Sequence, residues 1–308
     1  MTEGDRWVTG AKLWDWREQA LQAAQAAGVE AEELDWLLMA VADVERLELR
    51  LGGVERRSHI PIRYPLAELE RRWQQRLTDR TPVQYLVGET PWRDLLLTVS
   101  PAVLIPRPET ELIIDLAAAS AVGKPLAQGI WVDMGTGSGA IALALAQTFP
   151  EARILAADQS GAALAVAQEN AARTGLQDRV TFYQGSWFEP LGAYRGQLSA
   201  LVSNPPYIPS ALLPTLQPEV VGHEPAAALD GGDDGLTALR ILAAQAPAYL
   251  VPGGLWLVEM MAGQGEAVQA LLEAEGSYSD IEIYLDLAGR DRFVRAIYTP
   301  DRPAKNDP

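Results

Sequence analysis

The sequence predicts an α/β fold: a seven-stranded, mostly parallel sheet with helices on both faces, preceded by a small all-helical N-terminal domain. Three observations lead there. From about residue 109, short apolar runs alternate with helix-forming stretches, the pattern of parallel strands joined by crossover helices. The first 80 residues contain no such runs and have the texture of helices. At 308 residues the chain is long enough for one large domain and a smaller one, at about 150 residues per domain.

In chain order, "AKLWDWREQALQAAQAAG" (11–28) is rich in strong helix formers and stops at Gly28. The next segment, 31–53, places Leu34, Leu37, Leu38, Val41 and Val44 at helical spacing and ends at Gly52-Gly53. A third helix, 65–80, begins at Pro65; its Arg71, Arg72, Arg76 and Arg80 fit a solvated surface. Residues 81–108 are apolar runs broken by Pro and Gly, which predicts a hairpin and a linker. Strands are expected at 130–134, 153–157, 180–184, 198–203, 254–259, 281–285 and 292–297. Helices are expected at about 109–122, 138–148, 160–174, 235–249 and 264–275. Only "AGRD" separates the last two strands, so the final one returns antiparallel. The expected limits are a bundle at 1–80, hairpin and linker at 81–108, the α/β domain at 109–300 and a disordered tail at 301–308.

Composition narrows the chemistry. There are no cysteines and only two histidines, His59 and His223, which removes disulfides, thiolate metal sites, a Cys nucleophile and a multi-histidine zinc site. No metal is expected. The N-terminus shows no basic segment followed by an apolar one, and no run reaches the ~18–20 apolar residues of a membrane span. A cytoplasmic protein that does not bind membrane is the expectation. Formal net charge is −16; residues 1–90 carry 12 Lys+Arg against 16 Asp+Glu, and residues 91–308 carry 13 against 25. Neither half offers a basic footprint for nucleic-acid phosphates, whereas a cationic cofactor or a basic protein partner suits the charge.

"IWVDMGTGSGAIALALA" (130–146) is a buried strand, a glycine turn and an apolar helix. Gly135, Gly137 and Gly139 allow positive φ and close backbone approach to a ligand, with Thr136 and Ser138 between them. The dinucleotide fingerprint G-x-G-x-x-G does not fit, because the third glycine comes one residue early. The second strand ends in Asp158, 19 positions past Gly139, where an acid can accept hydrogen bonds from both ribose hydroxyls. Asp133 could contact an amine or order the loop. Loop and acid together describe a nucleoside pocket that suits S-adenosylmethionine, with NAD as the alternative.

"ALVSNPPYIP" (200–209) closes the fourth strand on Asn204, Pro205, Pro206 and Tyr207. The carboxyl end of that strand lies beside the first at the sheet's switch point, where open α/β sheets bind ligands. Each proline restricts the residue before it to extended backbone and supplies no N–H. The outcome is a stiff rim of acceptors. The Asn204 side-chain oxygen and the Pro205 carbonyl can accept both N–H bonds of one planar NH2 group, with the Tyr207 ring covering its face. That suits methylation of an amide or exocyclic amine, where aiming the nitrogen lone pair is the whole task.

Six segments carry a family resemblance: "RTPVQYLVGE" (80–89), "VLIPRPETELII" (103–114), "VDMGTGSGAIALALA" (132–146), "VSNPPYIP" (202–209), "HEPAAALDGGDDGL" (223–236) and "DLAGRDRFV" (286–294). In order and spacing they resemble the HemK-like protein-(glutamine-N5) methyltransferases, in particular the branch acting on peptide chain release factors, over about residues 80–295. The resemblance implies a Rossmann-like class I methyltransferase domain, S-adenosylmethionine as donor with S-adenosylhomocysteine as product, and a substrate. That substrate is the glutamine of the Gly-Gly-Gln motif in class I release factors. It further implies that Gly135 to Gly139 hold the methionine part, Asp158 the ribose, and Trp187 the adenine. Asn204 would be shared by cofactor and substrate, and Pro205, Pro206 and Tyr207 would complete the glutamine site. "IPRPETE" would lie beside the transferred methyl, although by its residues alone it is a helix start with favourable Glu109 and Glu111. His223 is expected to order a loop. Met260-Met261 stands where the family more usually has Ile-Gly. The N-terminal bundle is expected to dock the substrate protein. Rival readings are a ribosomal-protein glutamine, an exocyclic amine of a nucleic acid, which the acidic charge disfavours, and a non-catalytic adaptor, which the two intact motifs disfavour.

Overall fold

The computed structural model describes residues 6–300, so the tail at 301–308 lies outside the described residues. Two units are seen: one runs up to Glu89 and takes in Gln217–His223; the other comprises Thr90–Leu216 and the chain from Glu224 onward.

The first unit is helical apart from a ribbon of two strands, β1 (Trp7–Val8) and β2 (Ile60–Pro61), paired antiparallel. Helix α1 (Gly10–Ala27) is capped by the Thr9 hydroxyl and ended by Gly28 at φ +65°. The segment expected as one helix over 31–53 is split into α2 (Ala31–Val41) and α3 (Arg46–Leu51). Propensity yields to tertiary pairing here. Ala42 turns extended and bridges Ile62, while the Asp43 N–H donates to the Pro61 carbonyl and the Arg63 N–H to that of Val41. Helix α3 then restarts on a reciprocal capping box between Glu45 and Glu48. Helices α4 (Leu66–Thr78) and α5 (Val83–Val87) complete this part. Val83 and Val87 of α5 are buried in the same apolar cluster as Leu34, Leu37 and Trp73. For that reason the unit continues to Glu89, beyond the limit of 80 expected from composition.

One arginine departs from the solvated reading. Arg76 is 2% exposed; it donates to both Glu33 carboxylate oxygens at 2.6 and 2.7 Å and pairs with Glu219 at 2.7 Å. Glu219 also holds Arg80 at 2.7 Å. His223 sits 2.7 Å from the Asp79 carbonyl through its Nε2. Thus a short excursion of the α/β chain, Gln217–His223, is anchored by ion pairs within the helical unit. A buried charge demands such partners.

The second unit begins at Thr90, within the hairpin of β3 (Glu89–Trp92) and β4 (Leu95–Thr98). A 3-10 turn, Pro108–Glu111, leads into α6 (Leu112–Ala121). Then follow β5 (Ile130–Met134), α7 (Ala140–Thr148), β6 (Arg153–Asp158), α8 (Gly161–Arg173), β7 (Val180–Gln184) and β8 (Leu198–Ser203). After the short helix α9 (Pro218–His223), which belongs to the first unit, come α10 (Thr237–Gln245), β9 (Leu250–Glu259), α11 (Gly265–Glu275), β10 (Tyr278–Leu285) and β11 (Asp291–Tyr298). The seven-stranded sheet has the order β10-β11-β9-β8-β5-β6-β7. Strands β5 to β9 are mutually parallel, and β11 runs antiparallel between β9 and β10.

Alternation along the strands sorts side chains onto two apolar layers. Trp131, Ile154, Val202 and Leu257 face one cluster with α6 and α7; Val132, Leu155, Leu201 and Trp256 face the other with α10 and α11. Each fully buried side chain of this size contributes about 1.5–3 kcal/mol, which holds the carboxyl ends of β5 and β8 side by side. Met134 registers with Ser203 there, and the Ser203 hydroxyl donates to the Met134 carbonyl at 2.6 Å.

Candidate active site

At that edge the second unit has a cavity of about 210 Å³. Its wall brings together Gly135, Thr136, Gly137, Ser138, Asp158, Trp187, Asn204 and Pro206. These residues are far apart in sequence and meet because the chain winds outward in opposite directions from β5 and β8.

The glycine loop is built for close approach. Gly135, Gly137 and Gly139 have φ of +74°, +55° and +84°. A Cβ at Gly135 or Gly137 would meet no protein atom within 4 Å, whereas one at Gly139 would lie 3.1 Å from the Ala167 side chain. The first two glycines therefore leave ligand space open, and the third lets α7 pack on α8. Asp158 closes the loop: its Oδ2 accepts from the Gly137 N–H and its Oδ1 from the Ser160 N–H, both at 2.9 Å. Each oxygen retains lone-pair capacity toward the cavity. Trp187, partly buried, holds φ at +48°, a costly backbone conformation for a bulky side chain of the kind that gathers at ligand sites.

Asp133 lies beneath the loop with no solvent exposure. Its Oδ2 accepts from the Thr136 hydroxyl at 2.6 Å and the Ala142 N–H at 3.0 Å, and its Oδ1 has no hydrogen-bond partner. Burial pushes the carboxyl up to about 7, against the opposing pull of those two bonds. A carboxyl raised in the fold contributes stability in acid that is lost as pH climbs from its unfolded value toward about 7. Asp133→Asn removes that loss. The variant and wild type are expected to melt together at about pH 4 and below, where the carboxyl is protonated in the folded and unfolded chain alike, with the variant higher by ~3 °C or more at pH 8, taking about 1 kcal/mol per 2–4 °C. A pH-independent difference in melting temperature would contradict this.

The Asn-Pro-Pro-Tyr turn divides its labour. Asn204 and Pro206 line the cavity, Pro205 is buried, and Tyr207 aims its hydroxyl at Glu259. The turn is gripped from behind by "LDGGDDG". Ile208 bridges Asp230, the Gly231 N–H donates to the Ile208 carbonyl, and the Gln264 side chain donates to the Tyr207 carbonyl at 3.0 Å.

Two residues absent from the expected site take part. Asn204 Nδ2 donates to Thr110 Oγ1 at 3.2 Å; Thr110 Oγ1 donates to Glu259 Oε2 at 2.7 Å; the Tyr207 hydroxyl donates to Glu259 Oε1 at 3.1 Å. Burial raises the Glu259 carboxyl to about 7, against hydrogen bonds from Thr110 and Tyr207 and the charge of Arg292. Burial and the neighbouring Glu259 raise the Tyr207 hydroxyl above its ordinary range. Thr110 sits in "PRPETE", whose residues alone suggest only a helix start. The signal for Glu259 is an acid closing the apolar run "LWLVE" at a strand's carboxyl edge. Nearby, Arg107 on the cavity wall holds both oxygens of buried Glu224 at 2.7 and 2.8 Å, so "PRPETE" and "HEPAAALDGG" are clamped together. Met260-Met261 leaves the strand end intact: Met260 is buried and its N–H donates to the Arg292 carbonyl.

Residues 113–213 match the family model described as the methyltransferase small domain. Among solved structures, the hMettl16 catalytic domain in complex with MAT2A 3'UTR hairpin 6 has a TM-score of 0.54 at 12% identity, over 85% of this chain and 88% of that one. That likeness shows the class I methyltransferase fold alone. A release factor glutamine methyltransferase of Geobacter sulfurreducens is 41% identical over 96% of this chain and 98% of its own. One of Synechocystis is 50% identical over 94% of this chain and 97% of its own. Identity of that degree across nearly the whole of both chains leaves no room for a borrowed module alone: the chain belongs to the release factor glutamine methyltransferase family.

Proposed function

We propose that this protein transfers a methyl group from S-adenosylmethionine to the side-chain nitrogen of the glutamine in the Gly-Gly-Gln motif of class I release factors. One observation carries the reading: a single cavity wall holds both the glycine loop with its acid and the amide of Asn204. A nucleoside-sized ligand and a carboxamide can therefore meet there.

The residues present fit the donor. Gly135 and Gly137 leave open space, Thr136 and Ser138 bring their backbone to it, and Asp158 offers acceptors suited to ribose hydroxyls. Trp187 supplies an apolar face for the adenine. When bound, S-adenosylmethionine supplies an electrophilic methyl on a sulfonium sulfur. The chain's own part is to position. Asn204 Oδ1 and the Pro205 carbonyl accept the two hydrogens of the glutamine NH2, while Pro206 completes the wall and Tyr207 steadies the far end of the turn through Glu259. The substrate nitrogen bonds the methyl carbon as its bond to sulfur breaks, leaving S-adenosylhomocysteine, and the nitrogen then loses a proton to water. The acceptors stabilise the positive charge that develops on nitrogen.

The cavity's lining residues all belong to the second unit, and the helical unit serves as the docking domain for the substrate protein. Acidic charge on the whole chain favours a protein substrate over a nucleic acid. Among the described residues no helix is long and apolar enough to cross a membrane, and the proposed site of action is the cytoplasm, where termination takes place.

Asp158→Ala is expected to weaken S-adenosylmethionine binding by ~10-fold or more in calorimetric titration, the scale of one or two charged hydrogen bonds; unchanged affinity would refute the ribose assignment. The reaction itself is tested with labelled S-adenosylmethionine offered in parallel to release factor, ribosomal protein and RNA. Label on the Gly-Gly-Gln glutamine, located by mass spectrometry, is the expected result. Label confined to another acceptor would overturn the reading.

A further inference from the structure

Thr110 lies on the cavity wall; it and Glu259 are 4% and 0% exposed and are bonded to both ends of the Asn-Pro-Pro-Tyr turn. Counting hydrogens assigns them a task. An ionised carboxylate can only accept. The single hydrogen of the Thr110 hydroxyl therefore goes to Glu259, 2.7 Å away. Its lone pairs are left for Asn204, 3.2 Å away, which must present NH2. The Tyr207 hydroxyl gives its own hydrogen to the other Glu259 oxygen. Donation thus runs inward from both ends of the turn and stops on one carboxylate.

An asparagine amide has two orientations of almost equal shape, related by a half-turn. Only one places the oxygen where a substrate NH2 can be received; the other offers NH2 to NH2. Were Thr110 free to donate toward Asn204, the wrong orientation would be the stable one. Resting on the function proposed above, we infer that Glu259, acting through Thr110, is a positioning residue that holds the Asn204 amide with its oxygen toward the reacting nitrogen. The charge of Arg292 favours the charged form of this carboxylate. The carboxylate serves two hydroxyls, so the same group steadies the Tyr207 end of the turn.

The test compares Thr110→Val, which keeps the shape and removes the hydroxyl, with Thr110→Ser, which keeps the hydroxyl. Assays run at pH 8, above the value of about 7 to which burial raises Glu259. Methylation of intact release factor, S-adenosylmethionine affinity and melting temperature are measured for each. T110V is expected to lower kcat about 10-fold, one hydrogen bond's worth, with donor affinity within about 2-fold of wild type. T110S is expected to restore kcat to within about 2-fold. A T110V enzyme with wild-type kcat, or a T110S enzyme as slow as T110V, overturns the inference.

Should T110V fail to fold, Glu259→Gln decides. Its side-chain oxygen can still accept from Thr110 while its NH2 turns to the Tyr207 oxygen, so kcat within about 3-fold of wild type supports a directional role. A loss of more than about 3-fold in a folded E259Q protein would mean that charge matters rather than bond direction, and would overturn it. Failure of the wild type to methylate the release factor glutamine is a separate outcome; it removes the underlying function and the inference with it.

Discussion

Replacing Asn204 with alanine is expected to slow methyl transfer by about 10²–10³-fold or more while S-adenosylmethionine affinity stays within about 10-fold. The asymmetry follows from what the side chain touches. Its Nδ2 is committed to Thr110 at 3.2 Å, and its oxygen is the acceptor left on the cavity wall. The glycine loop is held independently, by Asp158 bonding Gly137 and by Gly139 packing on Ala167. Alanine therefore leaves the loop intact and removes the acceptor proposed to aim the substrate nitrogen. An amide nitrogen is a poor nucleophile because its lone pair is delocalised, so alignment carries most of the rate. Single-turnover rates and calorimetric affinities, measured on the same preparation, check the split. A variant turning over at near wild-type rate would end the assignment of Asn204 to the reaction.

Gly235→Ala is expected to cost about 100-fold in methylation without unfolding the sheet. A Cβ there would stand 2.3 Å from the Tyr207 carbonyl oxygen and 2.6 Å from Gln264 Nε2, at a backbone φ of +75°. Those two atoms are hydrogen-bonded to each other at 3.0 Å. The turn would have to move away from the glycine-rich segment behind it, and a displacement of about 1 Å at an aligned nucleophile is enough for a loss of that order. The backbone strain alone costs about 1–3 kcal/mol, a fall of several degrees in melting temperature. Gly253→Ala is the control. It has φ +80° but no atom within 4 Å of the added carbon, so it should lose stability and keep its activity. Equal activity in the two variants would show that "DGGDDG" does not set the turn.

Much of this site was legible because its parts are backbone devices. Glycines at 135, 137 and 139 announce positive φ, and they have it. Two prolines after Asn204 announce a strand end and a rigid rim, and β8 stops at Ser203. What was not legible lies in contacts between distant residues. Thr110 looked like a helix start and Glu259 like the last residue of a strand; their bond spans 149 positions. Arg76 looked solvated because its sequence neighbours are polar, while its partners Glu33 and Glu219 come from elsewhere in the chain. The single helix expected over 31–53 failed for the same reason, since Ala42 is claimed by Ile62.

By itself the sequence determined the α/β order of elements, the glycine loop, the acid that follows it and the stiff turn opposite. These depend on local rules: φ preferences, missing N–H groups, and periods of two or 3.6 residues that sort apolar side chains. The tertiary structure alone decided which way the Asn204 amide faces. No local rule sets that orientation, because the two ends of an amide are nearly the same size. Only a hydroxyl whose one hydrogen is already taken by a buried carboxylate can tell them apart.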